Sequence, residues 1–224
     1  MKIDVISGAV CPWCYIGKRN LEQALAQRPD IQADVHWHPY QLHPDAPAGG
    51  YDYRAAIEQK YGREAIARMF AHITQVGAAA GIAFHLDRIS RGANTLDAHR
   101  LLYWARAAGV QNQVCEAIFE AYFGDGRDLG DPETLVAIAA ANGLDGADIR
   151  ARLASAVDRD KIEELRAFAA GQGVSGVPLF IIDGVHTLSG AQGVETFLSA
   201  LDRVAAKGAG QTCAPDGCLR SPDR

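Results

Sequence analysis

At 224 residues, with 48% hydrophobic and 22% charged residues, the chain is long enough to bury a sizeable core and has the composition of an ordinary globular protein. No apolar run approaches the roughly 18 residues a membrane span requires, so a membrane protein is excluded. Its 22 Lys and Arg against 27 Asp and Glu give a net charge of −5 without a basic cluster, so nucleic acid is not an expected partner.

The N-terminus enters a strand pattern at once, with Lys2 to Ile6 reading as a buried strand and no signal-peptide pattern, which predicts a cytoplasmic protein. Ser7 to Val10 is a short connection. Pro12 suits a first helical position, and good helix formers follow to Ala26, so a helix begins at Cys11-Pro12-Trp13-Cys14. Arg28-Pro29-Asp30 breaks it, and Ile31 to His38 alternates as a half-exposed strand. Pro, Gly and Ala crowd residues 44–50, and beyond them only helical signals occur until about Gly171. These cover 53–80 as one or two helices, then 95–108, 114–123, 132–142 with Asp131 as cap, and 158–170. Strands over 178–183 and 185–188 flank Gly184, and a closing helix spans 194–206.

That order predicts an α/β fold made by the two chain ends, 1–43 and 156–207, with an all-helical domain, 44–155, inserted between them. Residues 208–224 read as a flexible tail.

Five cysteines, Cys11, Cys14, Cys115, Cys213 and Cys218, are too few for a disulfide-rich scaffold. In a reducing compartment a close pair is catalytic or metal-binding. At the start of a helix, Cys11 meets unpaired N–H groups and the positive end of the helix dipole, which stabilise a thiolate. Cys11 is therefore read as the exposed nucleophile and Cys14, three residues further in, as the buried resolving thiol. A zinc site would need two further ligands. His36 and His38 fall on the polar face of their strand and are read as surface histidines, so no metal is assigned. Cys115 sits on an apolar stripe with Phe119 and Phe123 and reads as core. Trp13, forced towards solvent between the cysteines, contacts substrate or covers the dithiol.

Gly176-Val177-Pro178 enters a strand, and a proline there needs a reason. In isolation it reads as an ordinary trans-proline turn; with the cysteine pair on the first helix, resemblance to a thioredoxin-type fold implies instead a cis Val177–Pro178 bond beside the dithiol, presenting the Val177 backbone to an extended substrate.

Taken together, the chain resembles the DsbA-related thioredoxin superfamily, and within it the cytoplasmic FrnE-like group. Four motifs in order carry the resemblance: Val10 to Lys18, Asn94 to Arg100, Gly176 to Pro178, and Ser189 to Gln192. It implies a thioredoxin-like fold with a helical insertion and thiol–disulfide exchange at Cys11 and Cys14, with Pro178 as the cis-proline. No bound cofactor is implied, and glutathione is a candidate co-substrate. The implied partners are protein or small-molecule thiols and disulfides. Gly8 departs from the pattern, since relatives often carry an acid there. Kappa-class glutathione transferases and 2-hydroxychromene-2-carboxylate isomerases are similar but usually carry serine where Cys11 stands, so they are the competing enzymatic reading; a zinc-binding interaction module is the non-enzymatic one. Trp13 cannot place a cation beside the thiolate, which implies a milder oxidant than enzymes with Cys-Pro-His-Cys. Asn94 and His99 either line the site between the domains or serve as a helix cap and a surface residue.

The tail pair Cys213 and Cys218 flanks Ala214-Pro215-Asp216-Gly217, a turn sequence compatible with a local disulfide. With the last helix ending near Lys207, its reach of roughly 20 Å makes it either a second dithiol relaying electrons to the first or a peripheral pair.

Overall fold

Both ends of the chain meet in one sheet. The computed structural model describes residues 1–171, 174 and 176–209. Strand β1 (Lys2–Ser7) is central, and its run of buried residues from Val5 to Ser7 is what a strand covered on both faces requires. On one side β2 (Asp34–Pro39) pairs with it in parallel, and on the other β5 (Leu179–Ile182) and β6 (His186–Ser189) continue antiparallel, in the order β2-β1-β5-β6. The second strand starts at Asp34 rather than Ile31. Its register runs from Lys2↔Asp34 to Ser7↔Pro39, so residues before Asp34 have no opposite number on β1.

Helix α1 (Pro12–Ala26) makes the crossover from β1 to β2, and α9 (Val194–Ala209) runs beside it in the same direction. Asn20 donates to the Gln192 carbonyl at 2.8 Å near one end, and Arg28 pairs with Asp202 near the other. Between α9 and the sheet, Phe180 meets Phe197 edge-on, with ring centroids 4.8 Å apart.

The open edge of β2 is closed by a side chain. Gln111 accepts from the Trp37 N–H at 3.0 Å and donates to its carbonyl at 2.9 Å, imitating a neighbouring strand. On the opposite face of the sheet, His38 Nε2 lies 2.7 Å from Asp4, and His36 is also half-buried. The surface reading of His36 and His38 is therefore corrected. Helix α8 (Arg159–Gly171) brings Ile162 and Leu165 over His38, around a cavity of about 220 Å³.

Helices α2 (Tyr53–Tyr61) and α3 (Arg63–Ala79) divide at Gly62, whose φ of 78° suits glycine. Next come α4 (Leu96–Ala107), α5 (Gln111–Phe119) with a π turn over Glu120–Gly124, and α6 (Pro132–Ala141). The expectation of helices alone in this stretch is corrected by a small antiparallel pair, β3 (Tyr51–Asp52) with β4 (Arg91–Gly92). Helix α7 (Gly146–Ala154), capped by the Asp145 carboxylate, was not foreseen either.

One apolar core runs without a break from the sheet into these helices. Tyr15 of α1 is the bolt: its ring stacks on Phe119 at 5.0 Å and meets the edge of Phe84 at 5.9 Å. One turn on, Lys18 is only 1% exposed, held at 2.6 Å from both Glu22 and Glu116. Helix α1, with the dithiol at its tip, is thereby fixed against α5.

Candidate active site

Cys11 occupies the N-cap of α1 itself, with extended backbone (φ −104°, ψ 111°) and Pro12 immediately inside the helix. No acidic residue lies in the first turn to oppose a thiolate. The Cys11 thiol is held below its ordinary value because it accepts hydrogen bonds, first from the Cys14 thiol and then from the Cys14 and Trp13 N–H groups, against the effect of burial. Cys14 is pushed well above the ordinary value by burial, then by its hydrogen bond to Cys11 and the charge on that sulfur, which the Ser7 hydroxyl and Gly8 N–H only partly oppose. The two sulfurs are thus set apart, Cys11 shifted towards the thiolate and Cys14 towards the thiol. The expected exposure of Cys11 is corrected: it is 4% exposed, against 0% for Cys14, so reagents reach it through a narrow opening.

The Val177–Pro178 peptide bond is cis, and the Val177 carbonyl lies 3.9 Å from Cys11 Sγ. Pro178 is seated by its neighbours. A Cβ on Gly17 of α1 would stand 2.9 Å from the Phe180 ring and 3.2 Å from Pro178, so only glycine lets the helix come this close. From the other side, the Gly190 N–H donates to the Pro178 carbonyl at 2.8 Å, and Gly190 has a φ of 80°. The Ser189 to Gln192 motif thereby buttresses Pro178.

Asn94 and His99 come to one place by different routes. Asn94 accepts from Gln41 at 3.1 Å and from the Leu96 N–H at 3.0 Å, and donates to the Ala46 carbonyl at 2.8 Å. His99 is buried, with Nε2 3.1 Å from the Tyr40 carbonyl, which corrects its reading as a surface residue. Both hold the segment 40–46, a strap running past the dithiol. The strap is close enough that a Cβ on Gly8 would lie 3.2 Å from the Tyr40 carbonyl, 3.5 Å from Leu42 and 3.6 Å from the Cys11 Cβ. The missing acid at Gly8 thus coincides with a strap that leaves a side chain little room. Trp13 is half-buried, its ring 5.7 Å from that of His72 on α3.

Sequence reasoning missed Ser7, Gly17, Leu42 and His72. Of these only Gly17 carried a signal, a glycine inside a helix where it costs about 1 kcal/mol relative to alanine. Cys115 is buried, as its stripe indicated. Cys213 and Cys218 lie outside the described residues.

Burial lowers the His99 pKa from 6.5 to about 4, against the Tyr40 hydrogen bond. The unfolded chain then takes up a proton below pH 6.5 that the folded one refuses until about pH 4, so stability is whole above that window and lost as pH falls through it. The loss is about 3 kcal/mol. Urea unfolding at pH 7 and pH 4.5 checks it: His99→Gln, which keeps a donor for Tyr40, should lose correspondingly less stability between the two.

The sequence profile of the DSBA-like thioredoxin domain matches residues 2–202. The chain belongs to that family. Its DsbA-like thioredoxin fold is shared with a probable DsbA oxidoreductase from Streptomyces coelicolor, at 31% identity and a TM-score of 0.83 over 99% of this chain and 100% of that one. A 2-hydroxychromene-2-carboxylate isomerase shares the fold at 18% identity and a TM-score of 0.71, covering 95% of this chain and 100% of that one. So does the cytosolic disulfide reductase DsbM from Pseudomonas aeruginosa with glutathione, at 18% identity and 0.63, covering 92% and 100%. Among the described residues of this DsbA-like chain, no helix is long and apolar enough to cross a membrane, and no cluster of three His, Cys, Asp or Glu is placed to hold a metal.

Proposed function

We propose that this DsbA-like protein is a thiol–disulfide oxidoreductase of the FrnE-like kind, exchanging disulfides of proteins or small thiols through Cys11 and Cys14. The observation that carries the reading is the division of labour between the two sulfurs, a hydrogen-bonded Cys11 at the helix cap and a buried Cys14 that stays protonated. The Cys11 thiolate attacks a substrate disulfide, one sulfur leaves as a thiolate and takes a proton from water, and a mixed disulfide remains on Cys11. Cys14 then gives up its proton and attacks Cys11 Sγ. The second substrate thiolate leaves, two electrons have passed to the substrate, and the protein holds a Cys11–Cys14 disulfide. Two glutathione molecules return the electrons and depart as their own disulfide. Pro178 and the Val177 backbone border the opening through which the substrate sulfur enters, and Trp13 flanks it. We place this chemistry in the cytosol, the compartment of DsbM. A conjugating transferase or isomerase would have no use for a second thiol hydrogen-bonded to the first.

Insulin reduction driven by glutathione tests the proposal. The intact protein should accelerate it well above the rate with glutathione alone, and Cys11 should titrate below the free thiol value of about 8.5 by thiolate absorbance. A protein with both thiols free by titration and no acceleration would overturn the reading.

A further inference from the structure

The cavity of about 220 Å³ between β2, α4 and α8 takes no part in the exchange at Cys11. Leu102 of α4 and Ile162 and Leu165 of α8 give it apolar walls, and the exposed Arg106 and Lys161 stand at its mouth. A void of about 150 Å³ already admits a benzene ring, so there is room here for a small organic molecule. Two histidines, His38 and His99, also line it. His99 holds the start of the strap through Nε2, so the cavity lies behind the wall of the dithiol site.

Each histidine brings an unspent acceptor. The Tyr40 carbonyl, 3.1 Å from His99 Nε2, can only accept, so Nε2 carries the ring proton and Nδ1 the lone pair. The Asp4 carboxylate fixes His38 in the same way, 2.7 Å from its Nε2. Burial holds both rings below the ordinary histidine value, so both are neutral at pH 7. Neither Nδ1 has a partner among the described residues, and His99 is 3% exposed. A buried lone pair without a donor is costly, and Gln111, in the same lining, has already spent its oxygen and both amide hydrogens on Trp37 and Leu102. The charge beside these acceptors is positive. Arg106 donates to His36 Nδ1 at 3.0 Å and pairs with no carboxylate among the described residues, and its field reaches His38. Lys161 is paired only in the open, with Glu164.

We infer that this cavity binds a small aliphatic hydroxy acid, its carboxylate at Arg106 and Lys161, its hydroxyl donating to an imidazole Nδ1, and its alkyl chain against Leu102, Ile162 and Leu165. A hydroxyl next to the carboxylate suits the closeness of Arg106 to His38. A purely apolar guest would leave the lone pairs and the cations unanswered, and an ammonium group would be repelled by Arg106 and Lys161. Small-molecule sites have this composition, apolar walls with a few polar groups that fix orientation. The site is separate from the opening at Cys11 and does not depend on the chemistry proposed there.

Calorimetric titration of the full chain at pH 7 with 2-hydroxy-4-methylpentanoate tests the site. The unaltered protein should bind it saturably. 4-Methylpentanoate, which lacks the hydroxyl, and the amide of the hydroxy acid, which lacks the charge, should each bind at least about tenfold more weakly, because each leaves buried or charged groups unpaired. Arg106→Gln, an exposed change, should weaken the acid and leave the amide where it was. Leu165→Trp, which fills the cavity, should abolish binding. The imidazole proton resonances of His38 and His99 in the unaltered protein place the ligand without any variant, since both should move as the acid is added. No saturable binding, or binding that moves neither histidine, would overturn the assignment. Equal affinity for the acid, its deoxy analogue and the amide would overturn it as well, since the cavity would then be taking up apolar bulk alone.

Discussion

Cys11→Ser should abolish disulfide exchange, lowering turnover by at least about a thousand-fold, because a hydroxyl at the helix cap cannot form the mixed disulfide. Cys14→Ser behaves differently. Its Cys11 still attacks, but nothing resolves the product, so substrates accumulate as covalent adducts of Cys11. The asymmetry follows from the cap. Only Cys11 accepts the N–H groups of the first turn, and only Cys11 retains a window, 4% exposed, through which a disulfide can approach. Gel shifts after incubation with a disulfide peptide, followed by peptide mapping, separate the two variants. Equal adduct formation by both would falsify the assignment of roles. Alkylation should show the same order, with a small reagent modifying Cys11 long before Cys14 or Cys115.

How much of this was legible in the sequence depends on what kind of fact is asked for. The dithiol helix was legible because Pro12 and the following helix formers fix its start by local rules, and β1 because its apolar run admits few alternatives. The start of β2 was not, since alternation continues back to Ile31 while the strand exists only where β1 offers a partner. His38 and His99 show a second limit. Periodicity says which face a side chain takes, and only the packing of α8 and of the strap says whether that face is covered. Asn94 and His99 could be read either as lining the site or as a cap and a surface residue, and only the folded chain shows their bonds to Ala46 and Tyr40. The two-residue strands β3 and β4 are too short to leave any pattern.

Lys18 and Arg100 illustrate the hardest class, charged residues inside motifs that the sequence marks but whose burial it does not declare. Arg100 is 0% exposed. Its guanidinium donates to the carbonyls of Arg152 at 2.7 Å, Ser155 at 2.9 Å, Val157 at 2.9 Å and Leu153 at 3.4 Å, and to the Asp97 carboxylate at 2.8 Å. Its flat face lies 4.9 Å from the centre of the Trp104 ring. These carbonyls lie at the end of α7 and in the turn into α8, where helical partners run out, although that of Arg152 also accepts from the Ser155 N–H at 3.1 Å, so one side chain closes the joint by which the chain returns to the sheet.

Arg100→Met should therefore cost about 3–5 kcal/mol, the range for breaking a buried, fully hydrogen-bonded charge. For a chain of this length that lowers the midpoint of thermal unfolding by about 6–20 °C. Arg100→Lys keeps the charge but cannot spread five donors over these acceptors, so it should fall between the variant and the parent. Arg150 is the contrast: its pair with Glu133 is exposed on both sides, and Arg150→Met should leave the midpoint where it was. Because Arg100 touches neither the strap nor the dithiol, the folded fraction of Arg100→Met at low temperature should keep its rate of exchange at Cys11. An unfolding midpoint for Arg100→Met no lower than that of Arg150→Met would mean that the joint is held by its apolar contacts, and that the fork of hydrogen bonds adds little.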